Sequence, residues 1–342
     1  MDCSNQIGYI LTGGIGDCIL SIPIIKKLNN IFNTKINVLF FTKASLPILQ
    51  TLDYCIPKYS DIDLSLDYKK IYEELNFCDL IVWNRFEKDN DGFSNFFYAK
   101  NEKFIDFVRE KRNLYLKNLS EVVGREIKDV KHTFPSVVPF LNLESNYYVD
   151  WNRFGLDIKY KDLDIEVPKS IKNSEFIDKI DNLCIFHDSR LEELDRSYSV
   201  KSWDRDKWED LVVRLKKKFF IVHFNNINQT PFFGSTSIFK LLGGNPNFFD
   251  YLYLLDRAKL YIGTDSWPAH AAIFLKNTKF ILLKGAVSKR WDHNKKFSDI
   301  IRKGKCNCCE YISLETCIFD KGMKRCMKSI LVEDVLEKVV NI

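Results

Sequence analysis

The chain has 342 residues, of which 46% are apolar and 28% charged, with a formal net charge of +5. That length suits two domains better than one core, and the composition excludes a disordered or fibrous chain. No run of 18 apolar residues occurs, which excludes a transmembrane helix, and residues 1–6 lack the basic start and apolar core of a signal peptide.

Residues 7–11 form a short apolar run that leads into Thr12, Gly13, Gly14, Ile15, Gly16 and Asp17. This predicts a buried strand followed by a tight turn. Over residues 18–28, Ile19, Leu20, Ile22, Ile24, Ile25 and Leu28 recur at helical spacing, with Pro23 tolerated near the first turns or with a kink. Residues 35–41 predict a second strand, 44–52 a second helix and 79–83 another buried strand. Such alternation predicts a parallel sheet covered by helices on both faces.

Residues 86–134 are polar and aromatic, with a helix predicted over 102–119. Pro135, Pro139 and Pro168, together with the charged stretch 142–182, mark a linker that divides residues 1–170 from 171–342. A second α/β rhythm follows. Strands are predicted at 183–186, 219–224, 260–262 and 279–283, with helices at 204–218, 248–258, 267–275 and 332–339. The expected fold class is α/β, two Rossmann-like domains facing a central cleft, with ligands at the carboxyl ends of the strands.

Three segments carry chemistry. Gly13, Gly14 and Gly16 let the backbone turn and approach a ligand closely, and the amides of the following helix favour an anion. The pattern is neither G-x-G-x-x-G nor a P-loop. Asp17 reads either as a helix-capping carboxylate or as a general base facing an incoming hydroxyl. Thr264, Asp265 and Ser266 end a strand and open a helix, with Pro268 in its first turn. Their amides and hydroxyls suit a diphosphate, and His270 can add a charge-assisted contact. Lys201, two residues before Trp203, can reach a phosphate as a flexible point charge, or be an ordinary surface lysine.

Taken in order, Gly14-Ile15-Gly16-Asp17 with Ile19 to Pro23, Lys201-Ser202-Trp203 with Trp208, and Gly263-Thr264-Asp265-Ser266 with His270 resemble glycosyltransferase family 9. These are the ADP-heptose:lipopolysaccharide heptosyltransferases, which have the GT-B fold. The resemblance implies an inverting transfer that needs no metal, with Asp17 as base and Lys201 and the 264–270 loop holding the nucleotide-sugar phosphates. The sugar implied is a heptose or a related sugar. The acceptor implied is a hydroxyl of a cell-envelope glycan, glycolipid or protein. Two positions depart from the family pattern. Trp267 stands where a glycine is usual, and the loop from Asn225 to Gln229 lacks a glutamate that family members often place near the ribose and base.

Cys306, Cys308, Cys309, Cys317 and Cys326 crowd one segment, and Cys306, Cys309, Cys317 and Cys326 could complete a tetrahedral thiolate site for zinc or iron. Neighbouring lysines and arginines would favour the thiolates. The same residues also read as reduced cysteines under a terminal helix. Cys-rich tails are found in some members of the resembled family, including iron-binding autotransporter heptosyltransferases. Between Lys276 and Lys328 fourteen Lys/Arg face five Asp/Glu, a local excess of +9 that leaves −4 for the rest. This basic segment suits an anionic partner, and a nucleic-acid-binding protein using the cysteines as a knuckle is one rival reading. A nucleotide-sugar epimerase on the same fold is another. The ten cysteines lack a disulfide framework, so the expected location is the cytoplasm, with peripheral contact at the inner face of the cell membrane.

Overall fold

A computed structural model describes residues 5–62, 68–84, 97–128, 147–188, 202–285, 293–303 and 325–340. The chain divides into two compact units, residues 1–164 and 165–342.

The first unit is built on a sheet of β1 (Ile7–Leu11), β2 (Ile36–Phe40), β3 (Cys55–Tyr59), β4 (Leu80–Trp83) and β5 (Phe97–Ala99), in the order β3-β2-β1-β4-β5. β1, β2 and β4 are buried throughout, which is why each reads as a continuous apolar run. The edge strands escape that pattern. β3 carries Pro57 and buries only Cys55, and β5 has three residues, of which Phe97 alone is buried. β5 also runs antiparallel to β4, a correction to the all-parallel sheet that strand–helix alternation predicts. A three-residue edge strand bonds on one side only, and an antiparallel edge on a parallel sheet is common in doubly wound folds.

Helix α1 (Ile15–Phe32) covers the Tyr9 face, where the Tyr9 hydroxyl and Ser21 Oγ stand 3.0 Å apart. The opposite face, through Ile10, packs on Ile71 of α2 (Tyr68–Glu74) and on Leu75 and Cys78 just beyond it. α1 is longer than the apolar periodicity predicts and keeps Pro23 inside it, ending at Asn33 in the left-handed conformation. Helix α3 (Ile105–Val123) stops at Gly124 and lies against α4 (Val149–Arg153). Tyr115 stacks on Phe154 at 4.6 Å, and its hydroxyl donates to Asp150, which is ion-paired with Arg153 in the interior. Much of the phenylalanine and tyrosine content is spent in such aromatic packing.

The second unit has a six-stranded, wholly parallel sheet in the order β11-β10-β9-β6-β7-β8. Its strands are β6 (Leu183–His187), β7 (Phe220–His223), β8 (Thr236–Ser237), β9 (Leu260–Thr264), β10 (Lys279–Leu283) and β11 (Asp299–Ile301). Its helices include α5 (Arg205–Leu215), α6 (Ile238–Leu242), α7 (Phe248–Arg257), α8 (Trp267–Ala271) and α9 (Val332–Val339). α8 is five residues long, shorter than the 267–275 segment predicts. α5 and α9 close one face of the sheet through Trp208, Leu211, Val212, Val335 and Val339. There the Trp203 indole donates to the Ile330 carbonyl at 3.0 Å, with both groups buried.

In each sheet the strand order reverses its direction of growth at one place: between β1 and β4 in the first, and between β6 and β9 in the second. Crevices at such reversals, outside the carboxyl ends of the strands, are where open α/β sheets bind ligands. Among the described residues no helix is long and apolar enough to cross a membrane.

Candidate functional site

The β1–β4 reversal holds the first predicted segment. Gly13 has φ 98°, a left-handed value open to glycine at little cost, and this turns the chain from β1 into α1. The turn is tied on two sides. Asn84, directly after β4, accepts from both the backbone N–H and the hydroxyl of Thr12 and donates its amide to the Thr12 carbonyl, at 2.8–2.9 Å. Thr42, after β2, donates to the Gly13 carbonyl at 2.8 Å. Space is open where a Gly14 side chain would stand, so the turn is fixed by the left-handed Gly13 and the hydrogen bonds around it.

Gly14 occupies the capping position of α1, Gly16 lies within its first turn, and Asp17 is the third helical residue. The Asp17 carboxylate accepts from the Gly14 amide at 3.1 Å, on the exposed side. The capping role weighed for Asp17 is therefore filled from inside the first turn and not from the cap position. Cys18, the next residue, is buried, and burial pushes its thiol up to about 12, so it is protonated and inert at neutral pH.

The β6–β9 reversal holds the second segment. Thr264 ends β9 fully buried. Asp265 Oδ1 lies 3.4 Å from the Nζ of Lys284, a residue with no side-chain exposure that directly follows β10. Ser266 stands at the cap position of α8, but its hydroxyl is engaged elsewhere, 2.8 Å from His187 Nδ1 and 3.2 Å from the Thr264 carbonyl. Of the two caps the sequence predicts for α8, Ser266 makes none through its side chain, because its hydroxyl is engaged by His187 and the Thr264 carbonyl. Burial pushes the His187 imidazole down to about 4, so it is neutral at pH 7, and it also pushes the Tyr261 phenol above its ordinary range.

Trp267 does not crowd this loop freely. Its ring packs on Phe248 and Tyr251 of α7, with centroids 5.2 and 5.8 Å away. His270 lies partly buried near the end of α8. Lys201 falls outside the described residues. Its neighbours Ser202 and Trp203 are buried, so the tryptophan of the Lys-x-Trp segment serves the core.

The loop after β7 borders a cleft of about 520 Å³ lined by Asn225, Asn228, Gln229, Ser237, Phe239 and Asn245, with no charged residue in its described lining. Ser237 Oγ donates to Asn225 Oδ1 at 2.8 Å, and Asn225 Nδ2 donates to the carbonyls of Asn226 and Gln229. The absent glutamate is thus replaced by an amide network that closes the loop on itself. A neutral polar cleft suits a nucleoside better than an ionised group.

Asn84, Thr42, His187 and Lys284 were not legible as site residues. Asn84 and Lys284 each follow a buried apolar strand directly and His187 ends one, a position that by itself does not mark a site residue. Of the cysteine set, Cys306, Cys309 and Cys317 lie outside the described residues, while Cys326 is partly exposed. Among the described residues no group of three metal-ligating side chains occurs.

No family model and no curated protein sequence matches the chain. Solved structures do. A glycosyl transferase family 9 protein from Veillonella parvula DSM 2008 is similar at 12% identity with a TM-score of 0.62, over 99% of this chain and 97% of that one. The iron-containing dodecameric glycosyltransferase TibC from enterotoxigenic E. coli H10407 is similar at 12% identity and a TM-score of 0.55, covering 100% of this chain and 77% of TibC. The ADP-heptose lipopolysaccharide heptosyltransferase II of E. coli is similar at 12% identity and a TM-score of 0.53, over 98% and 97% of the two chains. The fold is that of these GT-B glycosyltransferases, as the sequence motifs imply.

Proposed function

We propose that the protein is an inverting glycosyltransferase that moves a sugar from a nucleoside diphosphate donor to a hydroxyl acceptor. The observation that supports this most directly is the polar loop at the β6–β9 reversal of a family 9-like fold, where Thr264, Asp265 and Ser266 are held from both neighbouring strands. In this reading the loop and Lys201 take the donor diphosphate, and His270 adds a contact from α8. The uncharged cleft beside Asn225 receives the nucleoside. Asp265 accepts from sugar hydroxyls.

Asp17 is the base. Its carboxylate takes the acceptor proton as the acceptor oxygen attacks the anomeric carbon, and the bond to the diphosphate breaks with its electron pair leaving on phosphate oxygen. The cationic and N–H groups around the diphosphate stabilise that charge. No metal is required for these steps. A heptose is the leading sugar, because two of the similar structures are heptosyltransferases, one of them crystallised with ADP-D-β-D-heptose. The acceptor is a cell-envelope glycan, glycolipid or protein hydroxyl, reached from the cytoplasmic side of the membrane. A structural zinc or iron on the C-terminal cysteines belongs to the same proposal, and metal analysis of the purified protein with and without Cys306→Ser checks it.

Thermal-shift screening against ADP, UDP, GDP and CDP sugars tests the function. One donor should raise the melting temperature and be consumed only when an acceptor is present. Turnover of donor alone would favour an epimerase, and stabilisation by none of them would remove the transferase reading.

A further inference from the structure

Among the described residues of the second unit, Lys284 is a fully buried lysine that the proposed chemistry does not use. Its side chain has no exposure, while that of Asp265 keeps 11%. The β9–β10 register pairs Thr264 with Leu283, so Asp265 and Lys284 are the next residues on adjacent strands, side by side at the carboxyl edge of the sheet. The Lys284 amide donates to the Ile301 carbonyl at 3.0 Å, which fixes its backbone from the β11 side. On the β6 side the facing group is His187, held against Ser266.

A lysine is seldom fully buried, and a buried ion pair is often no more stabilising than apolar side chains of the same volume. The stability of the sheet is therefore a poor reason for this residue. Charge is a better one. Asp265 follows Thr264 and precedes Ser266, in the loop assigned above to an anionic diphosphate, and a carboxylate in that loop repels such a ligand.

We propose that Lys284 is a positioning residue that offsets the charge of Asp265 from behind the loop, so that a nucleoside diphosphate can bind in front of it. This rests on the reading of the loop as the diphosphate seat. The arrangement separates two duties. The Asp265 oxygens stay fixed for hydrogen bonding to sugar hydroxyls, while the loop carries one less unit of negative charge toward the phosphates.

The test is calorimetric binding of ADP, UDP, GDP and CDP to wild-type protein, Lys284→Met, Asp265→Asn and the double variant, each with a melting curve. Lys284→Met makes the loop one unit more negative and should weaken diphosphate binding about tenfold or more. Asp265→Asn makes it one unit more positive and should bind about tenfold more tightly than wild type. The double variant restores the balance and should return to within about threefold of wild type. A purely structural lysine would not give opposite signs for the two single changes. The inference is overturned if Lys284→Met melts like wild type and binds within about twofold of it, or if the double variant stays as weak as Lys284→Met. Should Lys284→Met fail to fold, Asp265→Asn and the double variant decide, because equal affinity for the two overturns the proposal. Wild-type protein that binds no nucleoside diphosphate overturns both this inference and the functional reading. Tight wild-type binding with unresponsive variants overturns this inference alone.

Discussion

The Tyr261 ring lies against the backbone of Gly263, so close that a Cβ on Gly263 would come within 2.5 Å of the ring carbon Cζ. The two residues share one face of β9, and the phenol end of the ring points to His187, 3.5 Å from its Nδ1. Gly263→Ala must displace the ring in a fully packed interior. Overpacking of this kind costs about 1–3 kcal/mol, and the melting temperature of Gly263→Ala should fall accordingly. Weaker diphosphate binding should accompany that loss, since the displaced ring disturbs His187 and with it Ser266. A variant as stable as wild type would show that the ring has room to move.

His187 gives the second unit a sensitivity to acid. Its imidazole titrates near 4 in the folded protein against about 6.5 when unfolded. Between those values the unfolded chain holds the proton and the folded chain does not, so stability falls as pH drops from about 6.5 to 4 and levels off below. The loss attributable to this group is on the order of 3 kcal/mol. His187→Gln keeps a polar partner for Ser266 but cannot titrate. The difference in melting temperature between wild type and this variant should change across that pH window, and a constant difference would remove His187 as the cause.

Asn84 should matter to the first unit in the same way that His187 matters to the second. Asn84→Ala removes three hydrogen bonds from the buried Thr12, a loss of about 2–4 kcal/mol when the groups left behind find no other partner. Asn84→Asp keeps the acceptor but sets a carboxylate oxygen against the Thr12 carbonyl. Its loss should be larger at pH 8 than at pH 4, where the protonated acid can donate. Denaturant melts at the two pH values check both statements, and an Asn84→Asp variant indifferent to pH would contradict the assigned geometry.

Asp17→Asn separates capping from catalysis. The amide oxygen can still accept from Gly14, so stability should change by less than about 1 kcal/mol. Donor binding should be unchanged, while sugar transfer falls by about 10²–10⁴-fold. Near-normal transfer would take the base role from Asp17 and leave it a capping residue.

The central strands were legible because burial on both faces makes them continuous apolar runs, and β10 spans the residues predicted for it. Helix α9 was equally clear from its apolar stripe of Val332, Val335 and Val339. The edges were not. β3 and β5 each bury a single residue, and β8 has two residues, too few for any periodicity. At the candidate site the glycines, Asp17 and the 264–266 loop stood out through residue type and order. Lys284 and His187 did not, since a lysine or histidine after an apolar run looks the same whether it meets solvent or a neighbouring strand. Only the strand order, with β9 set between β6 and β10, brings them to Asp265 and Ser266.

The hydrogen bond from Trp203 to the Ile330 carbonyl has a consequence for biosynthesis. It joins residues 127 positions apart and seals a core that also needs Val332, Val335 and Val339. While a ribosome is still making residues 332–339, the apolar sides of β6, β9 and α5 have no cover from that helix. The nascent second unit is then held open until that segment is made, while the first unit is already free to fold. Chaperone binding to ribosome-held chains should accordingly concentrate on intermediates that contain α5 but end before Val332.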